Sequence, residues 1–157
     1  MRIRTGDVEG PAEHALLEAY FAYRASSFPA ADRAYSVVFP ARATFTPPAG
    51  VFLVVEDDSG AAAGCGGIRM LPSPAVGVVR YEVKHVWLTP EARGHGWAGA
   101  LMEALEAEAR ALGATELVLD THHTLEGAAR LYARLGYEPI EPYNENPNAT
   151  RWFGKSI

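Results

Sequence analysis

The chain has 157 residues, 48% of them hydrophobic and 21% charged, a balance that excludes a disordered or low-complexity chain. Its formal net charge of -5 argues against a nucleic-acid-binding face, which needs clustered Lys and Arg, and fits a cationic or neutral small substrate better than an anionic one. The single cysteine, Cys65, excludes an intrachain disulfide and a cysteine-based zinc site and suits a reducing compartment.

Residues 1–10 carry too many polar groups for a signal peptide, and residues 3–5 suit a short first strand. Pro11 sits well in the first turn of a helix reaching about Arg24, with Leu17, Tyr20, Phe21 and Arg24 in helical register. Residues 26–48 have no clear period and carry Pro29, Pro40, Pro47 and Pro48. An irregular pocket wall is expected there, with one short helix around Ala31. Residues 51–56 read as a strand. Its apolar run, 51–55, is the longest purely aliphatic or aromatic one and is far short of the ~20 residues that span a bilayer. No membrane contact is expected, and the cytoplasm is the expected location; Asn148-Ala149-Thr150 then matches the glycosylation triplet by accident.

Asp57-Asp58-Ser59-Gly60 signals a turn, and residues 63–71 return as a strand whose glycines suggest a bulge or close packing. Residues 76–88 read as the longest strand. Plain alternation puts Val79, Tyr81, Val83, His85 and Trp87 on one face, and Arg80, Glu82, Lys84, Val86 and Leu88 on the other. The next helix carries Ala98, Leu101, Met102, Leu105, Ala109 and Leu112 on one stripe and stops at Gly113. A short apolar strand, 116–120, is expected parallel to the long one because a helix connects them. A last helix, N-capped by Thr124 and ended by Gly136, and two final strands at 137–140 and 151–157 complete the chain. With no internal repeat or linker, residues 1–157 form one domain: an antiparallel meander, then strand–helix–strand–helix–strand, a mixed α/β sheet with a central parallel pair.

Chemistry concentrates where the long strand ends. Gly94-His95-Gly96-Trp97-Ala98-Gly99 matches the G-x-G-x-x-G dinucleotide fingerprint, with Asp120 about 20 residues on, where a ribose-binding acid would sit. The context is wrong, however. Residues 89–93 intervene between strand and glycines, and too little chain follows for a doubly wound fold. The run Leu88-x-Pro90-x-x-Arg93-Gly94-x-Gly96-x-Ala98 instead resembles the acetyl-CoA-binding motif R/Q-x-x-G-x-G/A of the GNAT superfamily of N-acetyltransferases. Ala129-x-Leu131-Tyr132-x-x-x-Gly136-Tyr137 resembles that superfamily's helix-to-strand signature. The likeness is clear over about 51–140 and weakens over the first 50 residues. The tail from Pro142 through Asn144, Asn146 and Trp152 to Lys155 looks like a subgroup of small bacterial members.

The resemblance implies a GNAT-like fold and direct acetyl transfer from acetyl-CoA, the co-substrate, to a primary amine of a small molecule or peptide. Arg93, Gly94, His95, Gly96, Trp97 and Ala98 would hold the CoA pyrophosphate on main-chain N–H groups at a helix start, where the dipole favours an anion. Main-chain groups of Val86 and Leu88 would pair with the pantetheine arm and polarise the thioester. Tyr132, with a reference pKa of ~10, would donate to the CoA sulfur; otherwise it is a core residue of its helix. Glu82 would be the base, acting through a water chain from ~13 Å back along the strand face it shares with Val86; otherwise it is a solvated or ion-paired strand residue. His122 and His123 stand where many members carry an asparagine. Asp120 with His122 makes too small a set for a metal, and none is expected. His85 reads as a packed histidine, and Cys65 has no evident base to make it a nucleophile. Tyr20, Arg24, Arg33, Tyr35 and Tyr143 are candidate acceptor-wall residues. The expected partner is a small-molecule amine with no nucleic acid, and the chain is expected as a monomer or homodimer. A non-catalytic acyl-CoA-binding sensor is the alternative on the same fold.

Overall fold

The computed structural model describes residues 1–29 and 34–157; the helix expected around Ala31 and the wall residue Arg33 lie outside the described residues. Among the described residues, the elements in chain order are β1 (Arg2–Thr5), α1 (Pro11–Ser27), β2 (Gly50–Glu56), β3 (Ala62–Met70), β4 (Arg80–Leu88), α2 (Trp97–Ala111), β5 (Glu116–Thr121), α3 (Glu126–Arg134), β6 (Glu138–Pro139) and β7 (Arg151–Ser156), with 3-10 turns at Arg42–Phe45 and Pro90–Ala92. The strands form one sheet in the order β1-β2-β3-β4-β5-β7-β6. Its pairs are antiparallel except β4 with β5. This is the expected mixed sheet with its central parallel pair.

Apolar residues on both faces of β2 explain the two cores. Val51, Leu53 and Val55 join a cluster with Leu101, Met102 and Leu105 of α2. Phe52 and Val54 join Leu16, Leu17 and Phe21 of α1. A strand between two helical layers buries both of its faces, hence the continuous rather than alternating apolar run. Close packing also explains a glycine in β3. A Cβ on Gly67 would come within 2.5 Å of the Phe45 ring, so only Gly lets that aromatic lie on the strand.

The long strand departs from plain alternation in two ways. It begins at Arg80, because Gly77 takes a left-handed turn with φ +81° and ends any extended run through residues 76–79. Inside the strand, His85 adopts φ +58°. The register against β3 slips there, from Gly67 opposite Lys84 to Cys65 opposite Trp87. One extra residue on β4 makes a β-bulge, which reverses the faces beyond it. Tyr81 and Val83 pack on the α2 side, and so do Val86 and Leu88. His85 and Trp87 turn to the α1 side, His85 against the rings of Tyr20, Phe21 and Phe45. The expected common face of Glu82 and Val86 is therefore corrected: the bulge puts them on opposite faces. Two lesser expectations also change. α1 runs one turn further, to Ser27, and α3 is N-capped by Leu125 because the Thr124 hydroxyl is bonded to His122 Nδ1 at 2.8 Å.

His85 is the packed histidine expected. Burial, then the charges of Lys84 and Arg69, lower its pKa to about 3, against ~6.5 in an unfolded chain. The folded protein thus keeps the ring neutral, and its contribution to stability is present above pH ~6.5 and lost as pH falls toward 3. His85→Asn, which tolerates left-handed backbone, is expected to flatten the acid side of the stability curve by about 1 kcal/mol per pH unit, measured by urea unfolding between pH 7 and 4.

Candidate active site

β4 and β5 begin as a parallel pair and then part. Pairing covers Arg80 with Glu116, Tyr81 with Leu117 and Glu82 with Val118, whereas β4 continues to Leu88 and β5 to Thr121. The second half of β4 therefore has no strand partner on its β5 side. A cavity of about 1070 Å³ opens along this cleft, lined by Val86 and Leu88 on β4, Ala98 on α2 and Tyr132 on α3, and by Tyr20 and Arg24 on α1.

Past the end of β4, Thr89 leads into the turn Pro90–Ala92. Gly94 and Gly96 then take φ +83° and +78° before α2 starts at Trp97. Left-handed backbone on either side of His95 is the reason for two glycines, since a Cβ is costly in that conformation. Among the described residues, the N–H groups of Gly94, His95, Gly96, Trp97 and Ala98 donate to no protein acceptor. They gather at the positive end of a 15-residue helix, a fitting cradle for a phosphate group. Arg93 departs from the expected set of six. Its amide donates to the Pro90 carbonyl at 3.3 Å, because the 3-10 turn closes on it. Its side chain donates from Nε to the Leu88 carbonyl at 3.2 Å and lies 4.8 Å from the centre of the Tyr23 ring.

Tyr132 packs in the α2-side core near Tyr137 and Phe153 and also lines the cavity. Burial pushes its phenol up to about 12, so the hydroxyl keeps its proton at neutral pH.

Glu82 is fully buried and lies outside the cavity lining. Its carboxylate meets Arg69 at 2.6 Å and Lys84 at 3.1 Å, and accepts from the Tyr143 hydroxyl at 2.8 Å and Asn144 Nδ2 at 3.4 Å. Lys84 also meets Asp120 at 3.0 Å, and Asp120 accepts from Asn144 and Asn146 at 2.7 and 3.0 Å. Burial works against charge on Asp120, yet Lys84 and the two amides hold its carboxyl below the ordinary value. Tyr143, expected in the wall, stands behind it with its hydroxyl on Glu82. Tyr20, Arg24 and Tyr35 do line the cavity.

Two contributors to this wall escaped the sequence reading, Arg69 and the asparagine ladder, whereas the ion-paired alternative for Glu82 beside Lys84 is what the structure shows. The signal for the ladder was present, however. In Asn144-Glu145-Asn146-Pro147-Asn148, the first two asparagine side chains each accept from the amide two residues on, Asn146 N to Asn144 Oδ1 at 3.3 Å and Asn148 N to Asn146 Oδ1 at 3.0 Å. Alternating asparagines are a turn-building pattern in their own right. His122 is bonded to Thr124, and His123 to Thr150. Among the described residues, no three His, Cys, Asp or Glu gather as a metal set. Burial pushes the Cys65 thiol up, so it stays protonated.

A central parallel pair thus splays beside a glycine-built helix start. The description "Acetyltransferase (GNAT) family" matches residues 13–137, and the chain belongs to this family. It is 35% identical over 103 residues to an uncharacterized N-acetyltransferase of Schizosaccharomyces pombe, covering 66% of this chain and 61% of that protein's length. It is 32% identical over 126 residues to an IAA acetyltransferase of Azospirillum brasilense, covering 74% of this chain and 79% of the other. The fold matches that of a GNAT superfamily phosphinothricin acetyltransferase of Sinorhizobium meliloti in complex with AcCoA. The TM-score is 0.67 at 22% identity, over 100% of this chain and 89% of that one. Among the described residues, no helix is long and apolar enough to cross a membrane.

Removing the Glu82 charge leaves Arg69 without a carboxylate partner among the described residues and Lys84 with Asp120 alone. Glu82→Gln is expected to cost ~3 kcal/mol and to lower Tm by roughly 5–10 °C in a thermal melt at neutral pH.

Proposed function

We propose that the chain transfers the acetyl group of acetyl-CoA directly to a primary amine of a small molecule or peptide. The observation that carries this reading is the parting of β4 from β5 beyond Glu82 and Val118, beside a cavity that reaches from α2 to Tyr132. The donor-rich turn Gly94–Ala98 suits the pyrophosphate of the co-substrate, and main-chain groups of Val86 and Leu88 suit its pantetheine arm. Family membership, and the AcCoA in the Sinorhizobium meliloti relative of the same fold, support that placement.

In the reaction, the amine nitrogen bonds to the acetyl carbon as the carbon–sulfur bond breaks. Tyr132 donates its proton to the departing sulfur, and a phenol held at about 12 retains that proton until the sulfur develops charge. The proton lost by the amine leaves through the cavity to solvent. Glu82 acts as a buried anion that positions Arg69 and Lys84, because four donors already occupy its carboxylate. The first proton transfer then depends on the pH of the medium and the basicity of the amine rather than on a dedicated base.

Two measurements test this reading by CoA release and by calorimetry. Tyr132→Phe is expected to lower kcat by roughly 10² or more, with acetyl-CoA affinity within about twofold of the parent; unchanged turnover would remove Tyr132 from the mechanism. Activity of the parent should rise with pH until the amine is deprotonated, with no alkaline fall caused by Tyr132 below pH ~11. Gly96→Ala has open space for its Cβ, so only backbone strain of ~1–2 kcal/mol acts. It is expected to weaken CoA binding about tenfold; a smaller change than threefold would place the pyrophosphate elsewhere.

A further inference from the structure

The cavity wall carries four cations, Arg24, Arg69, Lys84 and Arg93. Arg69 and Lys84 are neutralised by Glu82 and Asp120 just described. Arg93 stands at the turn before α2, beside the amides assigned to the pyrophosphate. Glu126, on the lining near the start of α3, pairs with Arg130 in solvent at 3.5 Å. Arg24 is different. It is 8% exposed, and among the described residues its guanidinium has no carboxylate partner. It donates from an Nη to the Asn148 carbonyl at 3.3 Å and meets Tyr35, whose phenol oxygen takes a side-chain hydrogen bond from it and whose ring centre lies 5.5 Å away.

A guanidinium has five N–H donors in a rigid fork, and a buried cation without a counter-charge is costly unless a partner arrives. The carbonyl end of α1 offsets part of that cost, since Arg24 lies in its last turn. The remaining donors are those of a fork built for a planar oxyanion. Arg24 is also placed beside the chemistry, because its charge acts on the phenols of Tyr20, Tyr35 and Tyr132.

We infer that the amine acceptor also carries a carboxylate, and that Arg24 binds it inside the acceptor half of the cavity. This rests on the acyl-transfer reading and adds a substrate class to it: amino acids and compounds with the same pair of groups. With Arg93 at the α2 end beside the turn assigned to the pyrophosphate, Arg24 is the one guanidinium at the acceptor end without a carboxylate among the described residues, which matches a monoanion. The Asn148 carbonyl and the Tyr35 ring hold the fork in place, so that little side-chain entropy is lost on binding. The overall acidity of the chain, which by itself favours a cationic or neutral substrate, is offset locally by Arg24, which has no carboxylate partner among the described residues. A zwitterion satisfies both.

The test is a kinetic comparison of proteinogenic amino acids with their carboxamides, read by CoA release and by mass of the product. The parent is expected to acetylate its accepted amino acids roughly ten- to a hundredfold better in kcat/KM than the matching carboxamides, the range a charged hydrogen bond supplies. Arg24→Met should raise KM for the amino acid and bring that ratio close to one, with acetyl-CoA affinity retained in calorimetry. Arg24→Lys, which keeps the charge without the fork, should restore part of it. Turnover of amines indifferent to the carboxylate, or a preference that survives Arg24→Met, overturns the carboxylate site and leaves acyl transfer standing. Failure of the parent to bind acetyl-CoA overturns both.

Discussion

One inserted residue organises this molecule. His85, in left-handed backbone within β4, bends a strand that would otherwise continue alongside β5. A bulge increases local twist and spoils the neighbouring ladder, so the two central strands part and leave a cleft in the middle of the sheet. In an unbroken parallel sheet that space would be filled by hydrogen bonds, and the cavity between α1 and α3 would not exist. The bulge is held open from outside: the rings of Tyr20, Phe21 and Phe45 surround the imidazole, and burial keeps it neutral.

The cleft divides the labour between its two ends. At the α2 end, the groups on offer are main chain. Two glycines in left-handed conformation leave five successive amides without protein acceptors at a helix start, and any oxyanion of suitable size meets them. At the α1 end, the groups on offer are side chains, and these are mostly committed to one another. Glu82, Asp120, Arg69, Lys84 and the asparagine ladder form a connected set that fastens the loop at 144–148 to β4 and β5. Such a network is favourable only when every member is satisfied, and the carboxylate of Glu82 is filled by its four donors. Arg24 stands out against that background as the cation left over.

The elements were readable in the sequence wherever the local pattern was strong. The stripe Leu101, Met102, Leu105 and Ala109 specifies α2, the flanking Gly113 stops it, and the turn at 57–60 separates β2 from β3. The left-handed glycine turn before α2 and the α3 helix that carries Tyr132 were readable too, from glycines and apolar period. Reading failed where alternation was trusted through residue 85. Histidine is not a residue that announces positive φ, and the aromatic cage that favours it comes from α1 and the loop around Phe45, remote in sequence. Glu82 looked available for the same reason, since Arg69 lies on β3 and Tyr143 in the C-terminal loop, 13 and 61 residues away.

What the chain alone determines is therefore local: element types, a glycine-built helix start with free amides, and the order meander then strand–helix–strand. Those depend on hydrophobic period, turn chemistry and glycine, which act over a few residues. Tertiary structure decided which way β4 faces after His85, which carboxylates are already neutralised, and which cation is not. These depend on groups from separate strands and helices meeting at distances of a few ångströms, and a charge becomes available or spent only once its neighbours are in place.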